Sequence, residues 1–274
     1  MPAINTNTAA NSAVRYLNIN SAQESSSLAK LSSGSRITSA SDDAAGLAIS
    51  TRISSDVTTL QQAATNASQA TAILQTADGG ASNISDILAR MKSLASESAS
   101  GTTTDSSRAY INSEFTQLTS EIDSIASGTR YSSQSLLDGS SVFSSGVSVL
   151  VGSSGSDTIT ITLSNLTASS LGVSSLDVSS LSDATSALTT LDTAIDTVSA
   201  ARASIGAQES RFNFSSDSIS TQTQNLQSAN SAIKDVDIAS EQAKLSSAEV
   251  KTQAAVSAES AANQMPQYLL KLLG

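Results

Sequence analysis

The chain has 274 residues, a net charge of −10 and a pI near 4.3, with no cluster of Lys and Arg, which argues against a nucleic-acid partner. Neither Cys nor His occurs, so disulfides, thiol nucleophiles, imidazole bases and the common zinc sites are removed together. Aromatic residues make up only 3 % within a hydrophobic fraction of 39 %, and the Ala that supplies much of the rest suits close helix approach better than a bulky globular core.

Residues 4–33 carry a weak helical pattern. Val14, Leu17, Leu28 and Leu31 fit a heptad, but Ser21 and Glu24 occupy the seam between them. Such a segment reads either as a surface helix of a globular domain or as one that becomes ordered only when copies assemble. Leu31-Ser-Ser-Gly-Ser-Arg-Ile37 then breaks the helix, because Gly34 and its neighbouring serines favour turn geometry. Ser41-Asp42-Asp43 starts the next one: these side chains accept orphan amide protons and suit the positive end of the helix dipole. Paired carboxylates also suggest acid/base or metal chemistry, but no second acidic cluster with ligand spacing accompanies them.

Ile53, Val57, Leu60, Ala64, Ala67, Thr71 and Leu74 alternate steps of four and three, a coiled-coil-like seam. Asp78-Gly79-Gly80 is expected to disturb it, with the seam resuming one position over as Ile84, Ile87, Met91 and Leu94. One long helix over about 43–99 follows from this, weak at the glycines. After a loop at 101–104, Asp105 or Ser106 is expected to cap a helix with the stripe Ile111, Phe115, Leu118, Ile122 and Ile125, ending at Gly128.

The period then changes. Val147, Val149 and Val151 alternate with polar residues, as do Ile159, Ile161 and Leu163, and Gly152-Ser-Ser-Gly-Ser-Asp157 lies between them, so a β-hairpin is predicted. Residues 165–180 are Ser-rich and read as irregular. From Leu191 every seventh residue is apolar: Val198, Ile205, Phe212, Ile219, Leu226 and Ile233 form one seam on an uninterrupted helix, roughly 60 Å long at the usual rise per residue. The intermediate positions are taken as Leu188 and Ile195, then Arg202, Glu209, Ser216, Thr223 and Asn230, which makes the stripe narrow. One large apolar side chain in seven contributes about 1.5–3 kcal/mol, against about 1–2 kcal/mol for ordering each backbone residue. Such a helix must lie against others, in its own chain or in neighbouring copies. Residues 237–264 are Ala-, Ser- and Gln-rich. The tail Tyr268-Leu-Leu-Lys-Leu-Leu273 is the most apolar stretch and is expected to be buried between subunits.

No Gly-rich phosphate loop lies at a strand-to-helix junction, and without His no Ser-His-Asp arrangement exists. No catalytic, cofactor or metal site is expected, nor is membrane insertion, since no stretch approaches the ~20 apolar residues of a span. The chain opens without a secretory leader pattern, so the expectation is a cytoplasmic protein or one that leaves the cell without a cleaved signal.

Read together, Ile4-Asn-Thr-Asn7, Leu31-Ser-Ser-Gly-Ser-Arg-Ile37, Ser41-Asp-Asp-Ala-Ala-Gly46, Leu136-Leu-Asp-Gly139, Arg211-Phe-Asn213 and Ala262-Asn-Gln-Met-Pro-Gln267 resemble bacterial flagellin, in the family's order from end to end. The resemblance implies a mainly α fold of long antiparallel helices in a coiled-coil rod with a small β-hairpin region. Residues 1–42 and 233–274 would be the terminal coiled-coil segments lining a tube, and 43–180 and 181–232 the outer rod. It implies a structural subunit that self-assembles in many copies into an extracellular helical filament for motility. The inner contacts would come from Val14, Leu17, Leu28, Leu31, Leu269, Leu270, Leu272 and Leu273. It further implies unfolded export through the flagellar type III apparatus, with an export chaperone, a cap and hook-junction proteins as partners. A Toll-like receptor contact would fall at Arg90, Leu94 and Glu114, although Ser93 stands where the family often has Glu. The alternatives are a hook–filament junction protein and a helical adhesin module.

Overall fold

A computed structural model describes the backbone of residues 6–273 and the side chains of residues 6–268. The order of elements is α1 (Thr8–Ser33), α2 (Ala44–Ser98), α3 (Asp105–Gly128), β1 (Arg130–Tyr131), β2 (Gln134–Ser135), α4 (Val142–Ser145), β3 (Val147–Leu150), β4 (Thr158–Ile161), α5 (Leu181–Lys234) and α6 (Ile238–Leu273). The mainly helical class and the hairpin follow the sequence pattern. The chain divides into two compact units, Met1–Ser55 with Asn225–Gly274, and Asp56–Gln224, with the boundaries inside α2 and α5.

In the Asp56–Gln224 unit the helices run antiparallel. Asp78 pairs with Arg202 and Lys92 with Asp192, while Arg90 pairs with Glu114 and Arg108 reaches back to the Ser98 carbonyl. Two details of the expected seams are corrected. On α2 the buried row is Leu60, Ala63, Ala67, Ala70, Leu74, Ala77, Ala81, Ile84, Leu88 and Met91, an unbroken alternation of threes and fours through the glycine pair. Ala64 and Thr71 lie on its flank. On α5 the positions between the heptad residues are Ala187, Ala194 and Ala201, then Gln208, so the buried stripe is wider than the larger neighbours Leu188 and Ile195 suggested. The alanines are buried at 0 %, 1 % and 6 % exposure, whereas Leu188 and Ile195 are only partly buried against the core.

Gly80 explains why the seam survives. A Cβ on it would come within 2.4 Å of Thr129 Oγ1 and 2.9 Å of Leu137, so the missing side chain lets the segment after α3 lie directly on α2, whereas a Cβ on Gly79 would meet nothing. The cap of α3 is Thr104, whose Oγ1 accepts from the Ser107 amide at 3.3 Å, rather than Asp105 or Ser106. Asp105 lies in the first turn and pairs with Arg108. Residues 165–180 form no regular element, yet Leu166, Ala168, Leu171, Val173 and Val178 are buried, so this segment is part of the core. The hairpin pairs Val147 with Ile161 and Leu150 with Thr158. Its departing strand is held by Gln208, which accepts from the Thr162 amide at 2.9 Å and donates to the Thr162 carbonyl at 3.0 Å.

In the other unit α1 and α6 lie antiparallel, since Asn7 donates to the Ala262 carbonyl and Ser27 to Glu241. Gly34 ends α1 with φ +68°, the left-handed conformation that glycine adopts without strain. Asp43 starts α2 by accepting from the Gly46 amide at 2.8 Å. The chain between α1 and α2 is tied to the break between α5 and α6: Ser35 bridges Asp235, and the Arg36 amide donates to the Lys234 carbonyl at 2.7 Å. Asp237 opens α6 by accepting from the amides of Ala239 and Ser240.

Candidate assembly interface

The pairing of α1 with α6 is built from small residues and hydrogen bonds. Among the described residues α1 buries Ala10 and Ser27, and opposite them α6 buries Glu241, Leu245, Ala248, Ala255 and Ala262. Glu241 is the most constrained group of the pair. Its Oε2 accepts from Lys244 at 2.8 Å and its Oε1 from the Ser27 hydroxyl at 2.8 Å, and these bonds, that of Lys244 foremost, hold its carboxyl below the usual glutamate range. Farther along, the Thr252 hydroxyl donates to Glu24. None of these contacts needs a long apolar side chain.

Apart from Leu245, most of the long apolar side chains of these helices are not buried in this contact. Val14 is 38 % exposed and Leu28 58 %, with Leu17 and Leu31 half-buried, and Tyr16 and Ile19 are also exposed. On α6, Ile238, Val250, Val256, Met265 and Tyr268 are exposed. Helix α6 continues through Pro266 to Leu273, while the side chains of Leu269, Leu270, Leu272 and Leu273 lie outside the described residues. The surface is therefore a helix pair closed inwardly by alanines, Leu245 and a buried carboxylate, with large apolar side chains exposed.

The other residues singled out from sequence are brought together on α2 and α3. The guanidinium of Arg90 donates to Glu114 Oε1 from Nε at 2.9 Å and from Nη2 at 2.6 Å, and both side chains are about half exposed. Leu94, one turn along, is only 2 % exposed and belongs to the core. Sequence reasoning missed Gln208 and Glu241, which are polar residues in seams and carry no pattern of their own. It also missed the small β1–β2 pair, whose turn residues Ser132 and Ser133 have positive φ but lack the Gly or Asn that would announce it. Among the described residues no His, Cys, Asp and Glu group is arranged to hold a metal, and no helix is long and apolar enough to cross a membrane.

Comparison with known proteins places the chain in a family. The family model for the bacterial flagellin N-terminal helical region matches residues 4–142, and that for the C-terminal helical region matches residues 188–273. The chain belongs to the bacterial flagellin family. It is 35 % identical over 272 residues to a flagellin of Halalkalibacterium halodurans, covering 98 % of this chain and 99 % of the relative. A flagellin of Listeria monocytogenes is 34 % identical over 283 residues, again with 98 % and 99 % coverage. The crystal structure of Bacillus cereus flagellin superposes with a TM-score of 0.52 at 29 % identity, covering 61 % of this chain and 94 % of that one. Membership makes this flagellin a structural subunit of the flagellar filament and not an enzyme, and it disfavours the junction-protein and adhesin alternatives. Its length matches theirs, since the alignments span 98 % of this chain and 99 % of each relative.

Proposed function

We propose that copies of this chain polymerise through the outer apolar side chains of α1 and α6, completing in the extracellular filament a core that a single copy lacks. The observation that carries the reading is the mismatch within the terminal pair. Alanines, Leu245 and Glu241 fill the α6 side of the α1–α6 contact while Val14, Tyr16, Leu28, Val250 and Met265 are left in water. Large exposed apolar patches on helices are covered by association, and a helix pair held by alanine gains little from its own burial. Val14, Leu17, Leu28, Leu31 and the tail leucines Leu269, Leu270, Leu272 and Leu273 are the contact residues of this reading.

The test is polymerisation of full-length Leu28→Asp and Val250→Asp from filament seeds. An unpaired carboxylate in a packed apolar contact is strongly unfavourable, so both variants should stay soluble with unchanged helix content. Normal filaments from both would overturn the reading.

Unfolded export through the type III route with an export chaperone, and assembly between hook-junction proteins and a cap, belong to the same proposal. The thin burial of α1 and α6 supports this, because little structure has to be undone. Receptor recognition on α2 and α3 would use the exposed Arg90–Glu114 pair, with Leu94 beneath it. Monomer carrying Arg90→Ala should lose its signal in a Toll-like receptor reporter assay, and an unchanged signal would contradict that contact.

A further inference from the structure

The segment after α3 forms a polar recess of about 360 Å³ on the Asp56–Gln224 unit, lined by Arg130, Ser133, Gln134, Asp138, Ser140 and Ser141. Its rim is the turn between β1 and β2, where Ser132 and Ser133 both hold positive φ, 49° and 69°. Non-glycine residues adopt this conformation at a cost, and such strained positions cluster at functional sites.

Arg130 is fixed but not neutralised. Its Nε donates to the Ser127 carbonyl at 2.8 Å, at the end of α3, and among the described residues no carboxylate forms an ion pair with it. The acid of the recess, Asp138, is engaged with Ser140, whose amide and hydroxyl reach it at 2.9 and 2.8 Å and hold its carboxyl below the usual range. The hydroxyl of Ser141 is buried and has no hydrogen-bond partner. A buried polar group without a partner is costly, and a guanidinium fork with free donors matches a planar group of two acceptor oxygens. What the recess lacks is therefore an acceptor for the remaining donors of Arg130, since its own acid is already engaged.

The chain supplies carboxylates in surplus, with 24 acidic residues against 14 basic ones. Copies carrying a net charge of −10 repel one another, so packing them requires cations placed where a neighbour's acid arrives. We propose that the Arg130 recess receives an Asp or Glu side chain of a neighbouring copy of this chain, an assignment that rests on the filament reading above.

The test places a coupling amine in the recess. Full-length Arg130→Lys, as a minor fraction, is copolymerised with heavy-isotope-labelled wild-type chain and treated with a water-soluble carbodiimide. The reagent joins an ammonium to a touching carboxylate as an amide and takes up the water lost as a urea. The proposal expects a light–heavy cross-link from position 130 to an acidic peptide in filaments, about tenfold stronger than in soluble monomers. Coupling only to Asp138 of the same light copy, or none, as would follow if the recess took a small free anion, overturns it.

As a second arm, Arg130→Gln should raise the critical concentration for polymerisation about tenfold at low salt, and the gap should close at high salt as the charge is screened. A critical concentration equal to that of wild type at every salt concentration overturns the proposal. Wild-type chain that forms no filaments takes down both readings, whereas wild-type filaments without coupling at position 130 take down this one alone.

Discussion

The unit formed by Asp56–Gln224 and the unit formed by the two chain ends are both helical, but they bury different things. In the first, Phe115, Phe212, Leu74, Leu88, Met91 and Ile122 are fully enclosed, with alanine rows letting the helices close around them. In the second, among the described residues, α1 buries an alanine and a serine and α6 one large apolar side chain, Leu245, while most of the large side chains of both helices are exposed. Apolar burial stabilises by roughly 25 cal/mol per Å², so a contact made of methyl groups cannot offset the ordering of long helices, whereas one made of Leu, Ile and Phe can. The first unit is complete within one chain. On the filament reading proposed above, the second is half of a contact whose remainder comes from other copies.

The largest blow to this comparison is struck inside the complete unit. Phe115→Ala or Phe212→Ala should cost about 3–5 kcal/mol in urea denaturation of the monomer, because each leaves a cavity in a sealed core. Leu28→Ala in the terminal unit should change monomer stability by less than about 0.5 kcal/mol while weakening polymerisation. Equal losses for Phe115→Ala and Leu28→Ala would erase the distinction.

Next come the polar residues of the seam. Gln208→Leu should cost about 1–3 kcal/mol, since it orphans both backbone groups of Thr162. Gly80→Ala should also destabilise, by about 1–3 kcal/mol, because Thr129 is short, branched and hydrogen-bonded to Ile125 and cannot swing away. Gly79→Ala meets open space and should stabilise by up to about 1 kcal/mol through helix propensity. Thermal melts of the two alanine variants should therefore shift in opposite directions.

The smallest effects concern charge, and here the two units have opposite signs. Glu241 has a lowered carboxyl, so its contribution is full above the ordinary glutamate pKa of about 4.3 and drains away as pH falls through the lowered value. Glu209, on α5, is raised by burial and by neighbouring Asp78, so its charged form opposes folding and the penalty is relieved as pH falls through the raised value. Stability against pH, compared for Glu241→Gln and Glu209→Gln, should show acid sensitivity reduced in the first variant. In the second, stability should rise at neutral pH.

The heptad residues from Leu191 to Ile219, the hairpin and the helix-starting aspartates were legible because each is a periodic or capping signal with one meaning. The seam partners were not. Ala187 and Leu188 are adjacent in sequence, size favours the leucine, and only the packed helices show that the alanine is the more deeply buried of the two. Gly79-Gly80 reads as a helix breaker until Thr129 is found against Gly80. Residues 165–180 lack any period, so their burial could not be inferred, and the unpaired state of Arg130 depends on partners far along the chain. The outer apolar residues Val14 and Leu28 were picked out by spacing, but that they lie outside the α1–α6 contact became visible only with α6 in place.

Amide hydrogen exchange on monomer and filament tests the central claim most directly. Amides of the described parts of α1 and α6 should exchange quickly in the monomer and slow by orders of magnitude in the filament, while those of residues 60–219 should be protected equally in both. Strong protection of α1 and α6 in the monomer, unchanged on polymerisation, would contradict the account.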